Sequence, residues 1–363
     1  MFKIFKKQDY LLLIIVSLLL TLGLVILYST SIYNGRVRFG DPAYYFKKQL
    51  FASILGIGCM LIVSRLDYHR ISDFATWLYL ISLGLSLAVL FVGKEYNGSK
   101  RWLALGPLSF QPAEFAKIAV ILLLASQISR SKSKKKGLRF ILWVVLLVLP
   151  IVGLVGTNNL STAIIILGIA VMLVFMANSN YLQFVGIGAC GMAFMGVFLA
   201  MESYRLERLK IWQNPELYEK GFQTIQGLYA IGSGGLFGIG LGKSLQKLGF
   251  VPEAQNDMIF SIICEELGFV GASAVILVFG ILLWRILIVA LHAQDLLGML
   301  ICAGVFGHLS LQIILNLAVV TNSIPNTGIT LPFISYGGTS ILFLMMEIGL
   351  VLSVSAKEKR YLM

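Results

Sequence analysis

Hydrophobic residues occur in long runs along the whole chain, and ten of these runs are long enough to cross a membrane. A transmembrane helix needs about 20 mostly apolar residues, because the hydrocarbon core is about 30 Å thick. The pattern therefore predicts an all-α integral membrane protein with about ten transmembrane helices. The predicted spans are residues 10–30, 46–64, 74–93, 112–129, 139–156, 159–177, 181–201, 257–284, 296–317 and 338–356.

The polar segments between these runs are short except for residues 202–256, between the seventh and eighth predicted helices. No linker divides the chain, so we expect residues 1–363 to form a single polytopic membrane domain. The first apolar run is long and lacks a small-residue cleavage site, which predicts an anchor that is retained rather than a cleaved signal peptide.

Lysine and arginine residues in the short loops predict the orientation of the helices, because such loops stay in the cytoplasm. With ten helices, the basic ends and loops fall on one side, so both termini are predicted to be cytoplasmic and residues 202–256 to lie outside. The basic positions are Lys3, Lys6, Lys7, Arg65, Arg70, Arg130, Lys132, Lys134, Lys135, Lys136, Arg139, Lys357, Lys359 and Arg360.

Composition supports a membrane protein, since 58% of the residues are hydrophobic and only 13% are charged. Soluble domains carry about 25% charged residues. The net charge of +12 includes the run SKSKKKGLR, which favours a cytoplasmic loop and contact with anionic membrane lipids. We expect no nucleic-acid partner, because no soluble basic domain is present to bind one.

The segment 223–271 combines a glycine-rich stretch with acidic residues at the start of the eighth predicted helix. An aspartate at the centre of a membrane helix costs about 2.5–3.5 kcal/mol on insertion scales. Acids at this boundary therefore indicate a functional site. A structural role explains them equally well, as helix-capping residues or as acids at the membrane–water interface. These acids are Glu253, Asp257, Glu265 and Glu266.

The glycines of this segment match no nucleotide-binding motif. Lys243 and Ser244 resemble the end of a Walker A motif, but Phe237 stands where that motif needs glycine. No βαβ unit surrounds the segment, so a dinucleotide fold is not predicted. We expect the glycines to let the chain approach the helix bundle closely or to bend between short helices.

Two further polar clusters lie in predicted outer segments. In NGSKRWLALGPLSFQPAEFAKIAV, Glu114 and Lys117 are three residues apart on one helix and can form a pair, either structural or at a site. Arg101 beside Trp102 is either an interface anchor or a cation for an anionic head group. In NTGITLPFISYGGTS, prolines and glycines break helices, which membranes tolerate where the backbone lines a cavity or is buried.

The three clusters together resemble the SEDS family of bacterial cell-wall proteins, which act in shape, elongation, division and sporulation. The matching stretches are RWLALGPLSFQPAEFAKIA, AIGSGGLFGIGLGKSLQKLGFVPEAQNDMIFSIICEELG and TGITLPFISYGGTS. Their details look closer to the division and sporulation branch than to the rod-elongation branch. The chain departs from the family at GTNNLSTA, where many members carry an aspartate and this chain has Asn158 and Asn159.

This resemblance implies a glycosyltransferase at the outer face of the bacterial plasma membrane. The family polymerises lipid II, a disaccharide-pentapeptide on undecaprenyl pyrophosphate, into β-1,4 glycan strands for division, sporulation or cell shape. The family's essential acid matches Asp257, either as the general base or as a ligand of a divalent cation, Mg²⁺ or Mn²⁺. A class B penicillin-binding protein is the expected partner, and lipid is expected to enter beside the eighth span.

Positive charge is needed for the departing pyrophosphate, and Arg101 suits it best because its planar guanidinium fits phosphate. Glu253 is expected either to assist Asp257 or to make a local cap. The substrate-binding residues expected from the resemblance are Arg101, Glu114, Lys117, Lys243, Glu253, Pro332 and Ser335.

Two other functions remain open at this point. A lipid II flippase or other transporter would also place polar residues in a membrane bundle, but transporters often have repeated halves that are not evident here. A non-catalytic scaffold of the cell-wall machinery is the second alternative, although it does not need charged residues in three outer clusters.

Overall fold

The computed structural model describes residues 9–96, 99–105, 108–131, 138–177, 185–186, 188–193, 196 and 203–357. Over these residues the fold is a bundle of α-helices. The helices are α1 (Tyr10–Phe39), α2 (Tyr44–Arg65), α3 (Tyr68–Asp73), α4 (Ala75–Val92), α5 (Pro112–Arg130), α6 (Leu138–Asn158), α7 (Leu160–Ala177), α8 (Ser203–Gln213), α9 (Phe222–Ser233), α10 (Ile259–Leu291), α11 (Leu296–Val320) and α12 (Gly338–Ser355).

Eight of these helices are long and apolar enough to cross a membrane: α1, α2, α4, α5, α7, α10, α11 and α12. The apolar part of α6, Leu142–Asn158, is slightly shorter. These nine helices match nine of the ten predicted spans, and the remaining one, 181–201, lies mostly outside the described residues. The prediction of an all-α membrane protein is therefore confirmed, whereas the single domain, the count of ten and the outer loop stay predictions.

Helices α5, α11 and α12 form the centre of the bundle. About three quarters of the apolar window of each is buried, compared with 22% in α2 and 28% in α4. A helix that is buried on nearly all sides must satisfy its polar side chains inside the protein. Any charged residue on these three helices is therefore paired within the bundle or faces a cavity.

A small antiparallel sheet connects α4 to α5, where the sequence predicted only an outer loop. Its strands are β1 (Lys94–Tyr96), β2 (Ser99–Leu105) and β3 (Leu108–Phe110), in the order β1-β2-β3. The two outer strands are only three residues long, too short to show a hydrophobic alternation in the sequence. The middle strand carries Arg101.

Helix α10 is interrupted at Gly268, which has φ 68° and ψ −171°. The interruption leaves backbone groups near membrane depth without their helical partners, and the glycine-rich segment 234–243 supplies replacements. The four hydrogen bonds are Ile239 N to Glu265 O (3.0 Å), Gly240 N to Glu266 O (3.0 Å), Phe269 N to Gly235 O (2.9 Å) and Val270 N to Leu236 O (3.0 Å).

The close approach between this segment and α10 requires glycine. A Cβ atom on Gly234 would lie 2.0 Å from the carbonyl oxygen of Cys264, and one on Gly238 would lie 2.2 Å from that of Glu266. The expectation that the glycines bring the chain close to the bundle is confirmed. Part of segment 202–256 is therefore packed against a membrane helix rather than forming a free outer loop.

Candidate active site

Asp257 lies in the turn that precedes α10, outside the membrane-spanning helix, and is 9% exposed. The amide of Asn316 on α11 donates to the backbone carbonyl of Asp257 (2.9 Å) and to that of Ile329 (2.7 Å). Gly328 stands beside the carboxylate, because a Cβ atom there would be 3.9 Å from Oδ2. Asp257 is thus held between α11 and the segment 321–337.

A chain of polar side chains connects the Asp257 carboxylate to a guanidinium. Gln223 Nε2 lies 3.5 Å from Asp257 Oδ1, and Asn326 Nδ2 donates to Gln223 Oε1 at 3.3 Å. Arg208 Nη1 in turn donates to the carbonyl of Asn326 at 3.2 Å. The sequence analysis did not identify these three partners, because they come from α8, α9 and the segment before α12.

Burial raises the pKa of Asp257 to about 6, and the negative charge of Glu253 adds to the increase. A backbone hydrogen bond from its own amide and the positive charge of Arg208 act in the opposite direction and are outweighed. A carboxylate with a pKa near the working pH is suited to accept a proton, since it is ionised yet basic.

Glu253 lies in a turn and not in a helix, with φ 53° in the left-handed region. Its carboxylate receives a hydrogen bond from Asn256 Nδ2 (2.5 Å) and forms an ion pair with Arg38 (3.2 Å). It therefore acts on Asp257 through its charge while making local contacts of its own. A role in substrate binding stays a prediction.

The predicted pair between Glu114 and Lys117 is present, with Lys117 Nζ 2.9 Å from Glu114 Oε1 and both side chains buried. Lys117 Nζ also donates to Gln312 Oε1 at 3.2 Å. Gln312 is one turn, about 6 Å, from Asn316 on α11. Lys117 and the backbone of Asp257 are therefore both linked to α11, through two side chains one turn apart, Gln312 and Asn316.

A second buried pair extends this network to α12. His308 Nδ1 lies 2.7 Å from Glu347 Oε2, and His308 Nε2 lies 2.8 Å from Gln312 Oε1. Gln312 Nε2 donates to the carbonyl of Thr330 at 3.0 Å. The sequence analysis did not single out Glu347, although it is an isolated acid in an apolar run.

Arg101 lies on β2, and Lys243 is the last residue of the glycine-rich segment 234–243. Arg101 Nε donates to the carbonyl of Asn158, the last residue of α6, at 2.7 Å. Lys243 is exposed and follows the glycine-rich turn. Their predicted contact with pyrophosphate stays a prediction.

Lys247, four residues after Lys243, is buried in an ion pair. Its Nζ lies 2.6 Å from Glu266 Oε1 and donates to Ser29 Oγ at 2.8 Å. Glu265 receives hydrogen bonds from the Ser244 hydroxyl and from the backbone amide of the next residue. These two acids hold the glycine-rich segment against α1 and α10.

Pro332 and Ser335 lie buried within the segment 321–337. The Ser335 hydroxyl accepts a hydrogen bond from the Leu331 amide at 2.8 Å. The next amide, that of Tyr336, donates to the carbonyl of Gln255 at 2.9 Å. This segment therefore supports the backbone two residues before Asp257, and direct contact of Pro332 or Ser335 with substrate stays a prediction.

The described residues contain no group of three or more histidine, cysteine or acidic side chains able to hold a metal. Mg²⁺ commonly uses only one or two carboxylates together with the phosphate oxygens of a ligand, so a divalent cation at this site stays a prediction. Asp257 is the carboxylate available for this, and its raised pKa indicates that its charge is poorly compensated by the protein.

Comparison with known proteins agrees with this architecture. The model of the FtsW/RodA/SpoVE family of cell cycle proteins matches residues 9–360. Stage V sporulation protein E of Bacillus subtilis is 38% identical over 362 residues, which cover 98% of each chain. A probable peptidoglycan glycosyltransferase FtsW of Trichlorobacter lovleyi is 35% identical, with 97% of this chain and 94% of that protein covered.

Solved structures show the same fold. The rod shape determining protein RodA of Thermus thermophilus has a TM-score of 0.73 and 30% identity, with 98% of this chain and 99% of that chain covered. A chain of a peptidoglycan synthase complex that coordinates polymerization and crosslinking has a TM-score of 0.81 and 31% identity over the same shares. The chain therefore belongs to the FtsW/RodA/SpoVE family, which is the SEDS family, and it is a multi-pass membrane protein.

Proposed function

We propose that this protein is a peptidoglycan glycosyltransferase that polymerises lipid II into β-1,4 glycan strands at the outer face of the bacterial plasma membrane. The observation that carries the proposal is Asp257, a buried carboxylate with a raised pKa, which lies beside the Gln223 amide and is influenced by the positive charge of Arg208. Relatives named as peptidoglycan glycosyltransferases and a structurally similar chain from a peptidoglycan synthase complex support the activity.

In the proposed reaction the Asp257 carboxylate accepts the proton of the acceptor GlcNAc 4-hydroxyl. The hydroxyl oxygen forms a bond to C1 of the donor MurNAc, and the bond between C1 and the pyrophosphate oxygen breaks. The electron pair of that bond leaves with the lipid pyrophosphate. A sugar hydroxyl is a weak nucleophile, so a positioned base contributes roughly 10²–10⁴-fold to the rate.

Arg208, whose positive charge acts on Asp257, and Lys117 on α5 are the cations that we assign to the charge developing on the pyrophosphate. Lys117 is held rigidly by Glu114 and Gln312, and Arg208 is held by the carbonyl of Asn326. Arg208 thus joins the cations predicted from the sequence. In the alternative role, Asp257 would hold a divalent cation, which would supply positive charge for the leaving pyrophosphate.

The expected partner is a class B penicillin-binding protein that cross-links the new strand. The similarity to a chain of a synthase complex supports such a partner. In the orientation that we propose, with both termini in the cytoplasm, segment 202–256 and with it Asp257 lie on the outer side, where lipid-linked substrate would be polymerised.

The test is polymerisation by the purified protein, with and without the partner, using lipid II and a gel that resolves glycan length. We expect wild-type protein to make long glycan and Asp257→Asn to make none, with unchanged melting temperature and partner binding. A folded Asp257→Asn protein that still makes long glycan contradicts the assignment. Lipid II transport across vesicles without polymerisation would favour the flippase alternative, and partner recruitment alone would favour the scaffold.

A further inference from the structure

Five buried side chains form a continuous polar chain through the centre of the bundle. It runs from α5 to α11 to α12, and the proposed reaction uses it only as far as Gln312 on α11. Its order is Glu114, Lys117, Gln312, His308 and Glu347, with successive contacts of 2.9, 3.2, 2.8 and 2.7 Å.

The contacts of Gln312 determine which way its amide points. Its nitrogen faces the carbonyl of Thr330, which can only accept a hydrogen bond, so its oxygen faces Lys117 and His308. Since the oxygen can only accept, His308 must carry a proton on Nε2. The histidine N–H is therefore the group that fixes the amide oxygen against Lys117.

The other nitrogen of His308 faces a carboxylate oxygen, so one proton must lie between Nδ1 and Glu347 Oε2. Both side chains are 1% exposed, and Glu347 Oε1 has no hydrogen-bond partner in the described part of the chain. A buried carboxylate without this proton would carry an uncompensated charge, which is strongly unfavourable. With the proton present, the four ionisable groups together are electrically neutral.

We propose that His308 and Glu347 are positioning residues for the glycosyl transfer. Glu347 holds the His308 ring, the ring fixes the Gln312 amide, and the amide sets the positions of the Lys117 ammonium and the Thr330 carbonyl. The proposal rests on the function proposed above, because Lys117 is the group that would face the pyrophosphate. It assigns a role to α12 at a distance from the reacting atoms.

The decisive variant is the double substitution His308→Leu with Glu347→Leu, which removes both polar groups without leaving a buried charge. We expect it to retain the wild-type melting temperature but to lower kcat for glycan polymerisation about tenfold, as expected for loss of one orienting hydrogen bond, with little change in KM. A folded double variant with wild-type kcat overturns the proposal, since the pair would then serve packing alone.

Glu347→Gln is the conservative control. Its amide N–H can donate to Nδ1 while His308 Nε2 still donates to Gln312, so we expect activity within about twofold of wild type. Gln312→Leu should lower kcat as the double variant does, and Ser310→Ala, on the same helix but outside the chain of contacts, should not. A Glu347→Gln protein as slow as the double variant contradicts a positioning role.

A measurement independent of activity is the ¹⁵N spectrum of histidine-labelled protein. The chain has three histidines, so the His308 signals are those lost in the double variant. We expect protonated Nε2 and a hydrogen-bonded proton at Nδ1. Unprotonated Nε2 overturns the proposal even if the enzyme is active. Wild-type protein that makes no glycan contradicts only the proposed function. In that case the spectrum still tests the proton between His308 and Glu347.

Discussion

Asp257 is buried and its negative charge is incompletely compensated, so the stability of the folded protein depends on pH through this residue. The pKa in the folded protein is about 6, above the ordinary value of 3.8. The folded state therefore binds this proton more tightly than the unfolded chain does. The contribution of Asp257 to stability is fully present below about pH 4 and is lost as the pH rises through about 6.

The same pKa predicts the pH dependence of the reaction. A general base must be ionised, so we expect kcat/KM for glycan polymerisation to rise with pH and to level off above about 6 in the protein without substrate. The measurement is the initial rate at low lipid II concentration from pH 5 to 8. A rate that is flat across this interval would show that Asp257 does not act as a base, although it could still hold a cation.

Substitutions of Lys117 and Glu114 measure how much an unpaired buried charge destabilises the fold. Lys117→Ala leaves the Glu114 carboxylate without its partner, so we expect loss of polymerisation and a destabilisation of about 3–5 kcal/mol. Thermal melting in detergent measures the stability. Replacing both residues, as Glu114→Gln with Lys117→Met, should recover stability but not activity. Full activity and stability of Lys117→Ala would contradict both the pairing and the substrate role.

At the scale of elements, the interruption of α10 and the glycine-rich segment form one unit. The unpaired backbone groups around Gly268 are satisfied by residues 235–240, and buried acids of α10 hold the neighbouring polar turn. The first turns of α10 follow Asp257 directly, so the packing of the glycine-rich segment against α10 also fixes the position of the turn that carries Asp257.

Gly238→Ala tests this unit. The new Cβ would clash with the backbone of α10, and the residue has φ 77°, which alanine adopts at a cost. We expect a destabilisation of at least about 1–3 kcal/mol and reduced polymerisation, measured by thermal melting and by the glycan assay.

Gly232→Ala is the matched control, because this glycine lies in α9 and a Cβ there would meet no atom within 4 Å. It should retain activity and be equal or slightly higher in stability, since alanine favours the helix. Equal effects of the two substitutions would show that the close backbone approach at Gly238 is not required.

At the scale of the whole molecule, the orientation in the membrane rests on the positive loops. We predict that the loop 130–139 faces the cytoplasm and that Glu216, after α8, faces outward. In a background without cysteines, Ser133→Cys should be protected from an impermeant thiol reagent in intact cells, whereas Glu216→Cys should react. Reaction of Ser133→Cys from outside would reverse the topology and remove Asp257 from the outer face.

Much of the architecture could be predicted from the sequence because hydrophobic runs and helix spacing are local properties. Nine predicted spans correspond to described helices, and the pair between Glu114 and Lys117 follows from their separation on one helix. The need for glycine near α10 was also predictable, since a loop with so many glycines indicates close backbone approach.

Other features depend on which elements become neighbours, and the tertiary structure alone decided them. Arg208, Gln223 and Asn326 meet near Asp257 from three separate segments, and Glu347 meets His308 across two helices. No local pattern encodes such a meeting, because side-chain partners in a bundle are set by helix packing. The sequence by itself determined the membrane bundle, its motifs and the candidate acid Asp257 that they mark, whereas packing determined the partners that surround this acid and its raised pKa.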